Sequence, residues 1–274
     1  MGISNAIADY PATLKKECHK DHPSPQPESS ASLLQHLAII MDGNGRWALQ
    51  RNLPRLAGHR KGIETVKSVV QTAADLDIRY LTLYGFSIEN WSRPVMEVNA
   101  LMGLFRLYLS ENLKTLHEKN VRLRIIGERT NLQPDIAELI EKAEEKTRHN
   151  NSYFLTIAFN YGGRREIAGA ARQIAHAVAK GHLAPENVTE SLFGQYMQTV
   201  DLPPPDLIVR TSGEQRLSNF LLWQSAYAEL MFTDKFWPDF TSDDLIALVG
   251  EYQKRERRFG GPSADRGALD DGCL

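Results

Sequence analysis

Short apolar runs alternate with longer helical patterns over residues 33–261 of this 274-residue chain, and that alternation constrains the fold more than any other feature. The apolar runs are nearly continuous in hydrophobicity, as strands covered on both faces of a parallel sheet require. They lie at 37–41, 80–86, 122–127, 154–159 and 207–210, with helical patterns at about 59–76, 97–119, 132–148, 163–180 and 241–258. This order predicts an α/β fold, a single domain with a mostly parallel central sheet flanked by helices.

The two ends of the chain lack this alternation. Residues 1–32 carry four prolines among serine, histidine and lysine, and residues 262–274 are similarly polar. Segments without apolar periodicity cannot bury enough surface to offset the entropy of ordering. We therefore predict a flexible N-terminal tail over 1–32, a folded domain over 33–261 and a flexible C-terminal tail over 262–274.

Composition excludes several classes of protein. Lys and Arg number 32 against 34 Asp and Glu, a formal net charge of -2, whereas nucleic-acid-binding proteins are usually basic. The two cysteines, Cys18 and Cys273, support neither a disulfide framework nor a zinc site. No run approaches the roughly 18 to 20 apolar residues that cross a bilayer, and the N-terminus lacks the order of a signal peptide. We expect a soluble, cytoplasmic protein without a nucleic-acid partner.

Three polar loops follow predicted strands, at 42–47, 87–94 and 210–219. Ligands of open parallel sheets bind beyond the carboxyl ends of the strands, so these loops should converge. Gly43 and Gly45 would let backbone N–H groups approach an anion closely, and arginine suits bidentate contacts with phosphate. The cationic or donor side chains in and near the loops are Arg46, Arg55, His59, Arg93, Arg210 and Arg216. So many cations predict a site for more than one phosphate.

One carboxylate, Asp42, stands among these cations. A carboxylate beside phosphates is typical of magnesium, which binds through one or two carboxylates and substrate oxygens. Glu229 is a possible second ligand, although spacing alone favours a salt-bridged carboxylate near the core. The chain has no P-loop and no G-x-G-x-x-G after a strand, so the common nucleotide motifs are excluded.

The helical pattern at 97–119 is apolar around most of its circumference. Such a helix is most often buried core. A helix buried nearly all round could also form the wall of a tunnel for a hydrocarbon chain, and the sequence leaves both interpretations open.

Six motifs, taken together and in order, resemble the cis-prenyltransferase family of undecaprenyl diphosphate synthases. They lie at 36–47, 58–59, 86–94, 160–164, 210–220 and 255–261, so the resemblance covers about residues 35–261. It implies a domain with a hydrophobic tunnel in which farnesyl diphosphate is extended by successive isopentenyl diphosphate units, each new double bond being cis, with Mg²⁺ required. The implied product is undecaprenyl diphosphate, the lipid carrier precursor for cell-wall polysaccharide.

The resemblance also implies roles for individual residues. Asp42 would be the essential aspartate that handles magnesium and the allylic diphosphate. That diphosphate would be held by Gly43, Asn44, Gly45, Arg46, Arg55 and His59, with Trp47 against the prenyl portion. Isopentenyl diphosphate would be held by Arg210, Arg216, Leu217 and Ser218, and Glu229 would assist its magnesium. For Glu229 the resemblance therefore favours the role of metal ligand, whereas spacing alone favours a salt-bridged carboxylate.

A loop that closes over the substrates is implied at 87–93. Its substrate-binding residues would be Ser87, Ile88, Glu89, Trp91 and Arg93. Asn90 is the family's usual candidate for the proton acceptor. An amide is a poor base, which leaves open that Asn90 instead orients the diphosphate that accepts the proton.

The resemblance further implies a homodimer in which the segment 258–260 reaches the partner's active site. The lipid product makes peripheral contact with the inner face of the cytoplasmic membrane a reasonable expectation.

Tyr153 and Phe159 look bulkier than residues expected beside the tunnel. They would stop elongation early or, on alternate faces of the strand, point away. A shorter-chain synthase therefore stays an alternative, whereas a non-catalytic partner subunit is disfavoured because Asp42 and the arginines are present.

Overall fold

The computed structural model describes residues 34–130 and 132–255. The two predicted tails and the predicted partner-reaching segment 258–260 lie outside these residues. Within them, the predicted single α/β domain is confirmed.

The central sheet has six strands, and every pair is parallel. They are β1 (His36–Ile40), β2 (Tyr80–Ser87), β3 (Val121–Ile126), β4 (Tyr153–Tyr161), β5 (Leu207–Arg210) and β6 (Glu229–Phe232). Their order across the sheet is β3-β4-β2-β1-β5-β6. Five of them match the apolar runs. β6 escapes prediction because it is a four-residue edge strand with one fully buried residue, so its hydrophobicity is not continuous.

Seven α-helices accompany the sheet in the described residues: α1 (Asn44–Gln50), α2 (Arg55–Asp75), α3 (Val95–Glu118), α4 (Pro134–Thr147), α5 (Gly163–Ala179), α6 (Glu190–Gln195) and α7 (Ser242–Gln253). Short 3-10 turns cover Ile88–Ser92, Pro185–Asn187 and Trp237–Asp239. The helices α1 and α6 are too short to show a periodic pattern. Helix α2 begins four residues earlier than predicted because Pro54, at φ -57°, leads directly into it.

Alternate strand residues pack on opposite faces of the sheet. In β1, Leu37 and Ile39 join the large core with α2, α3 and α7, whereas Ala38 and Ile40 join a smaller core on the other face. Both faces are therefore covered, which explains the continuous hydrophobicity of the runs. No helix in the described part of the chain is long and apolar enough to span a membrane.

Strand register brings the three polar loops to one edge of the sheet. Ile40 pairs with Tyr84 on one side and with Arg210 on the other. The strands β1 and β5 end at the same level, and β2 continues three residues further in the same direction, so the residues that follow all three strands lie at one edge of the sheet.

Candidate active site

A cavity of about 880 Å³ opens at this edge of the sheet. Its polar lining contains most of the predicted site residues: Asp42, Gly43, Asn44, Gly45, Arg46, Arg55, His59, Ser87, Glu89, Asn90, Arg93, Arg210, Arg216 and Ser218. All three loops and the helix α2 contribute. The convergence predicted from the parallel sheet is thus what the structure shows.

Asp42 lies at the centre of the polar lining, two residues beyond β1. One carboxylate oxygen accepts a hydrogen bond from Arg210 Nη2 at 2.8 Å and lies 3.4 Å from Arg46 Nη2. The other accepts from the backbone N–H of Gly43 at 2.7 Å. Burial opposes ionisation, but the hydrogen bond and charge of Arg210, with Gly43 and Arg46, hold the pKa of Asp42 below its ordinary value. Asp42 is therefore a carboxylate at neutral pH.

Arg210, the last residue of β5, is the most buried cation of the cavity, with a side chain only 5% exposed. Its guanidinium donates to Ser218 Oγ at 2.6 Å and to the carbonyl oxygen of Arg216, besides Asp42. Its Nε has no partner in the described residues. A buried guanidinium needs a counter-charge, so Asp42 and Arg210 fix each other in place.

The loop after β1 places a second group of cations. Gly43 has φ +103°, and a Cβ there would lie 2.7 Å from the ring of Phe236, so only glycine fits this turn. Arg46, on α1, donates to Glu214 at 2.9 Å and to Ser212 at 2.6 Å. Glu214 also pairs with Arg216. This glutamate holds two predicted phosphate ligands in position, and sequence reasoning missed it although it lies inside a loop already chosen.

His59 lies on α2 in the wall of the same cavity. Burial, followed by the charge of Arg93, lowers the pKa of His59 to about 4. The imidazole is therefore neutral at physiological pH. A neutral ring can still donate one hydrogen bond to a phosphate oxygen.

The segment 87–93, hereafter the cavity loop, is docked against the rim of the cavity. Asn219 Nδ2 donates to Glu89 Oε1 at 2.8 Å, and Arg93 pairs with Glu97 at 3.0 Å. Asn90 Oδ1 accepts from the backbone N–H of Ser87 at 3.1 Å. Because the amide oxygen of Asn90 already accepts this bond, an orienting role fits the geometry better than proton abstraction.

Five predicted residues do not line the cavity: Trp47, Ile88, Trp91, Leu217 and Glu229. Trp47 Nε1 donates to Asp239 Oδ1 at 2.7 Å, and the Arg51 guanidinium lies 4.4 Å above its ring. This packing holds the indole of Trp47 outside the cavity.

Glu229 lies at the opposite end of the sheet from Asp42. It starts β6 and pairs with Leu207, the first residue of β5, whereas Asp42 follows the far end of β1. At about 3.3 Å per residue the offset along the strands is on the order of 15 Å. Glu229 instead pairs with Arg255 at 3.0 Å. Within one chain the structure thus shows the salt bridge that spacing alone favoured and does not bring Glu229 to Asp42.

The deep part of the cavity is apolar, and α3 forms one of its walls. Leu101, Leu104, Phe105 and Tyr108 of α3 face Ile157 and Phe159 of β4 there. The same helix buries Met102, Leu109 and Leu113 in the core. The interpretation as buried core is therefore confirmed for one side of the helix, whereas the other side lines the cavity, and the hydrocarbon tunnel stays a prediction.

Aromatic rings close the deep end. Phe105 and Phe159 are stacked with centroids 3.8 Å apart, and both line the cavity. Tyr108 lines both this cavity and a separate one of about 740 Å³ behind it, which Tyr153 also lines. The hydroxyl of Tyr153 is buried without a partner in the described residues. The two residues whose size stood out in the sequence thus lie at, or just behind, the end of the apolar part.

The described residues contain no cluster of three or more His, Cys, Asp or Glu side chains that could hold a metal by themselves. A hard cation here would depend on Asp42 and on oxygens supplied by a bound substrate. That donor set fits Mg²⁺, which needs few protein carboxylates when phosphates complete its shell.

A polar, arginine-rich mouth leading to an apolar, aromatic end fits an amphiphile with an anionic head. The family model for undecaprenyl diphosphate synthases, a prenyltransferase model, matches residues 40–260. The chain belongs to this family of prenyltransferases. Isoprenyl transferase from Rhizobium meliloti (strain 1021) is 53% identical to it over 236 residues, which cover 86% of this chain and 96% of that protein. Isoprenyl transferase from Heliobacterium mobile is 51% identical, over 83% and 87%.

Solved structures of relatives share the fold of this prenyltransferase. Lavandulyl diphosphate synthase from Lavandula x intermedia, in complex with dimethylallyl diphosphate, aligns with a TM-score of 0.82 and 36% identity, over 84% of this chain and 99% of that one. A probable undecaprenyl diphosphate synthase from Campylobacter jejuni aligns with a TM-score of 0.69 and 34% identity, over 83% and 99%. Membership places the prenyltransferase in isoprenoid biosynthesis, among enzymes that elongate cis-prenyl chains.

Proposed function

We propose that this prenyltransferase condenses farnesyl diphosphate with successive isopentenyl diphosphate units, in a Mg²⁺-dependent reaction, to make undecaprenyl diphosphate for cell-wall polysaccharide synthesis. The observation that carries the proposal is the single carboxylate of Asp42 held by Arg210 and Arg46 at the mouth of a cavity whose deep end is apolar. A diphosphate bound at this mouth directs its hydrocarbon chain toward the aromatic end.

Two diphosphate positions follow from the two groups of cations. The loop after β1, with Arg46, Arg55 and His59, would bind the allylic diphosphate. The loop after β5, with Arg210, Arg216 and Ser218, would bind isopentenyl diphosphate. Glu214 bridges Arg46 and Arg216, so the two positions adjoin and the reacting carbons can be held close together.

In the reaction the allylic C–O bond breaks and its electron pair leaves with the diphosphate. The isopentenyl double bond supplies the electrons of the new C–C bond, and a proton then leaves the condensed chain for a diphosphate oxygen. Arg46 and Arg55 stabilise the charge that develops on the departing diphosphate. Asn90 orients the acceptor oxygen.

Asp42 is the residue that would hold Mg²⁺, together with substrate phosphate oxygens. When bound, the ion supplies charge neutralisation for the leaving diphosphate. Glu229 would assist a metal only if another chain brought it to the cavity, because within this chain it lies at the far end of the sheet.

The test is a product assay with labelled isopentenyl diphosphate and farnesyl diphosphate, followed by chromatography of the chains. We expect long cis-prenyl diphosphates with Mg²⁺ and no elongation after chelation. Undiminished elongation in excess chelator would overturn the metal requirement, and absence of product with any allylic diphosphate would overturn the proposed reaction.

A shorter product is the second candidate, and the Phe105–Phe159 stack favours it. Phe105 and Phe159 both line the apolar part of the cavity, so a 55-carbon product would require the stacked rings to move apart, whereas a shorter product would not. The same chromatography separates the two outcomes.

The molecular context belongs to the same proposal. We propose a homodimeric, cytoplasmic enzyme with a catalytic domain over 33–261 between two tails, which touches the cytoplasmic membrane peripherally when the lipid product leaves. A catalytic role is preferred over a non-catalytic partner subunit because Asp42 and its arginines form a complete ion-paired site. Gel filtration with light scattering tests the dimer.

A further inference from the structure

The motif at 160–164 has no role in the proposed chemistry, yet it contains one of the most constrained residues of the chain. Asn160 is 1% exposed and has φ +53° at the end of β4. Left-handed backbone is uncommon outside glycine, and asparagine tolerates it better than most residues. An asparagine that is buried and left-handed at once is held by specific contacts.

Both polar atoms of the Asn160 side-chain amide form hydrogen bonds. Oδ1 accepts from the indole Nε1 of Trp91 at 2.7 Å, and Nδ2 donates to the carbonyl oxygen of Glu128 at 2.8 Å. The backbone N–H of Glu128 donates in return to the carbonyl oxygen of Asn160 at 3.0 Å. The contact with Glu128 fixes the amide orientation, so that the oxygen faces Trp91.

Trp91, like Ile88, is a residue of the cavity loop that does not line the cavity. Its ring packs edge-on against Phe86 with centroids 5.4 Å apart, and its one hydrogen-bonding group reaches Asn160. The bond joins the loop to β4 at a half-buried point, since Asn160 is buried whereas Trp91 is 38% exposed. The other side-chain link from this loop to a distant part of the chain, from Glu89 to Asn219, is exposed and contributes less.

Gly162 lies at a second contact between the cavity loop and the chain that follows β4. A Cβ at Gly162 would lie 2.7 Å from Ile88 Cδ1 and 2.7 Å from Asn219 Nδ2. The absence of a side chain therefore lets Ile88 of the cavity loop reach the backbone after β4. Asn160 and Gly162 thus contact the loop at two points.

We infer that Asn160 is a positioning residue that holds the cavity loop closed over the site through the Trp91 indole, with Gly162 as the matching close contact. Asn160 does not itself line the cavity, so it would act through Trp91. The consequence for substrate binding depends on the proposed function, whereas the consequence for loop order does not.

Hydrogen–deuterium exchange of the ligand-free protein tests the loop directly. Trp91→Phe keeps a smaller aromatic ring but removes the indole N–H, and we expect protection of the amides in 87–95 to fall at least about fivefold, the effect of one ordinary hydrogen bond. Asn160→Gly keeps the left-handed backbone, removes the same bond together with the bond to Glu128, and should lower protection at least as much. The double variant should add little to Asn160→Gly. Trp47→Phe removes an indole bond of equal length to Asp239 and should leave 87–95 unchanged.

Kinetics provide the second readout. In Trp91→Phe we expect the KM for isopentenyl diphosphate to rise about fivefold, with a smaller change in kcat and an unchanged melting temperature. Unchanged exchange in 87–95, or additive effects in the double variant, would overturn the inferred role of Asn160 in holding the cavity loop, whichever substrates the enzyme uses. Loss of protection with an unchanged KM would limit Asn160 to a structural role.

Discussion

At the scale of single residues, we expect the Asp42–Arg210 pair to contribute to both catalysis and stability. We expect Asp42→Asn, which keeps the volume and removes the charge, to lower turnover at least about 100-fold, because the arginines and any metal lose their anionic partner. Since it leaves the guanidinium of Arg210 buried without a counter-charge, unfolding free energy should also fall by about 2 kcal/mol, less than for a fully buried pair.

Steady-state turnover and urea unfolding measure the two effects of Asp42→Asn. Asp239→Asn is the matched control, because this exposed carboxylate pairs with Arg51 outside the cavity. Near-normal turnover of a folded Asp42→Asn protein would contradict the assignment of Asp42.

Gly43 gives a second prediction at this scale. Gly43→Ala places a methyl group on a left-handed backbone and within 2.7 Å of Phe236, so the free energy of unfolding should fall by at least about 2 kcal/mol. Gly103→Ala is the control, since nothing lies within 4 Å of a Cβ there and the site is in the middle of α3. The control should be stabilised by roughly 0.5–1 kcal/mol. Equal destabilisation of both variants in urea would refute the turn argument.

At the scale of elements, the packing of α3 on β4 determines how deep the cavity extends. We expect Phe159→Leu to unstack Phe105 and to lengthen the prenyl product by one or more units, while costing about 1–2 kcal/mol of stability. Chromatography of the chains measures the shift. Phe154→Leu is the control: Phe154 lies on the same strand, stacks on Tyr80 and does not line the cavity. An unchanged product distribution in Phe159→Leu would show that the stack does not limit chain length.

The length and burial of each element explain whether the sequence pattern predicts it. Five strands were predictable because they are buried on both faces and are therefore continuously hydrophobic. Five helices were predictable because they are buried along one side over several turns, which produces a helical period in hydrophobicity. The short elements α1, α6 and β6 leave too few residues for that signal. Glu214 and Asn160 were missed as functional side chains, because their contacts join residues 168 and 69 positions apart.

At the scale of the whole molecule, two buried histidines predict the response to acid. Burial lowers the pKa of His36, and burial with Arg93 lowers that of His59 to about 4. A histidine whose folded pKa lies below its unfolded pKa of about 6.5 binds fewer protons when folded, so stability falls as pH drops from 6.5 toward 4. We expect the protonation of His59 alone to lower the free energy of unfolding by roughly 2 kcal/mol between pH 7 and pH 4.5.

Urea unfolding at pH 7 and pH 4.5 measures this loss. His59→Gln should lose less stability between the two pH values than the unaltered protein, and the exposed His182→Gln controls for the substitution itself. If His59→Gln and the unaltered protein lost the same free energy, His59 would not be buried neutral.

The sequence by itself determined the class of fold, the edge of the sheet where the polar loops meet and most of the polar lining of the cavity, because local hydrophobicity and strand order dictate which loops meet. Only the tertiary structure decided the rest. It placed Glu229 at the far end of the sheet, turned Trp47 outward, pointed Phe159 into the cavity and joined Trp91 to Asn160. These outcomes depend on strand register and on contacts between distant residues, which leave no local pattern in a single sequence.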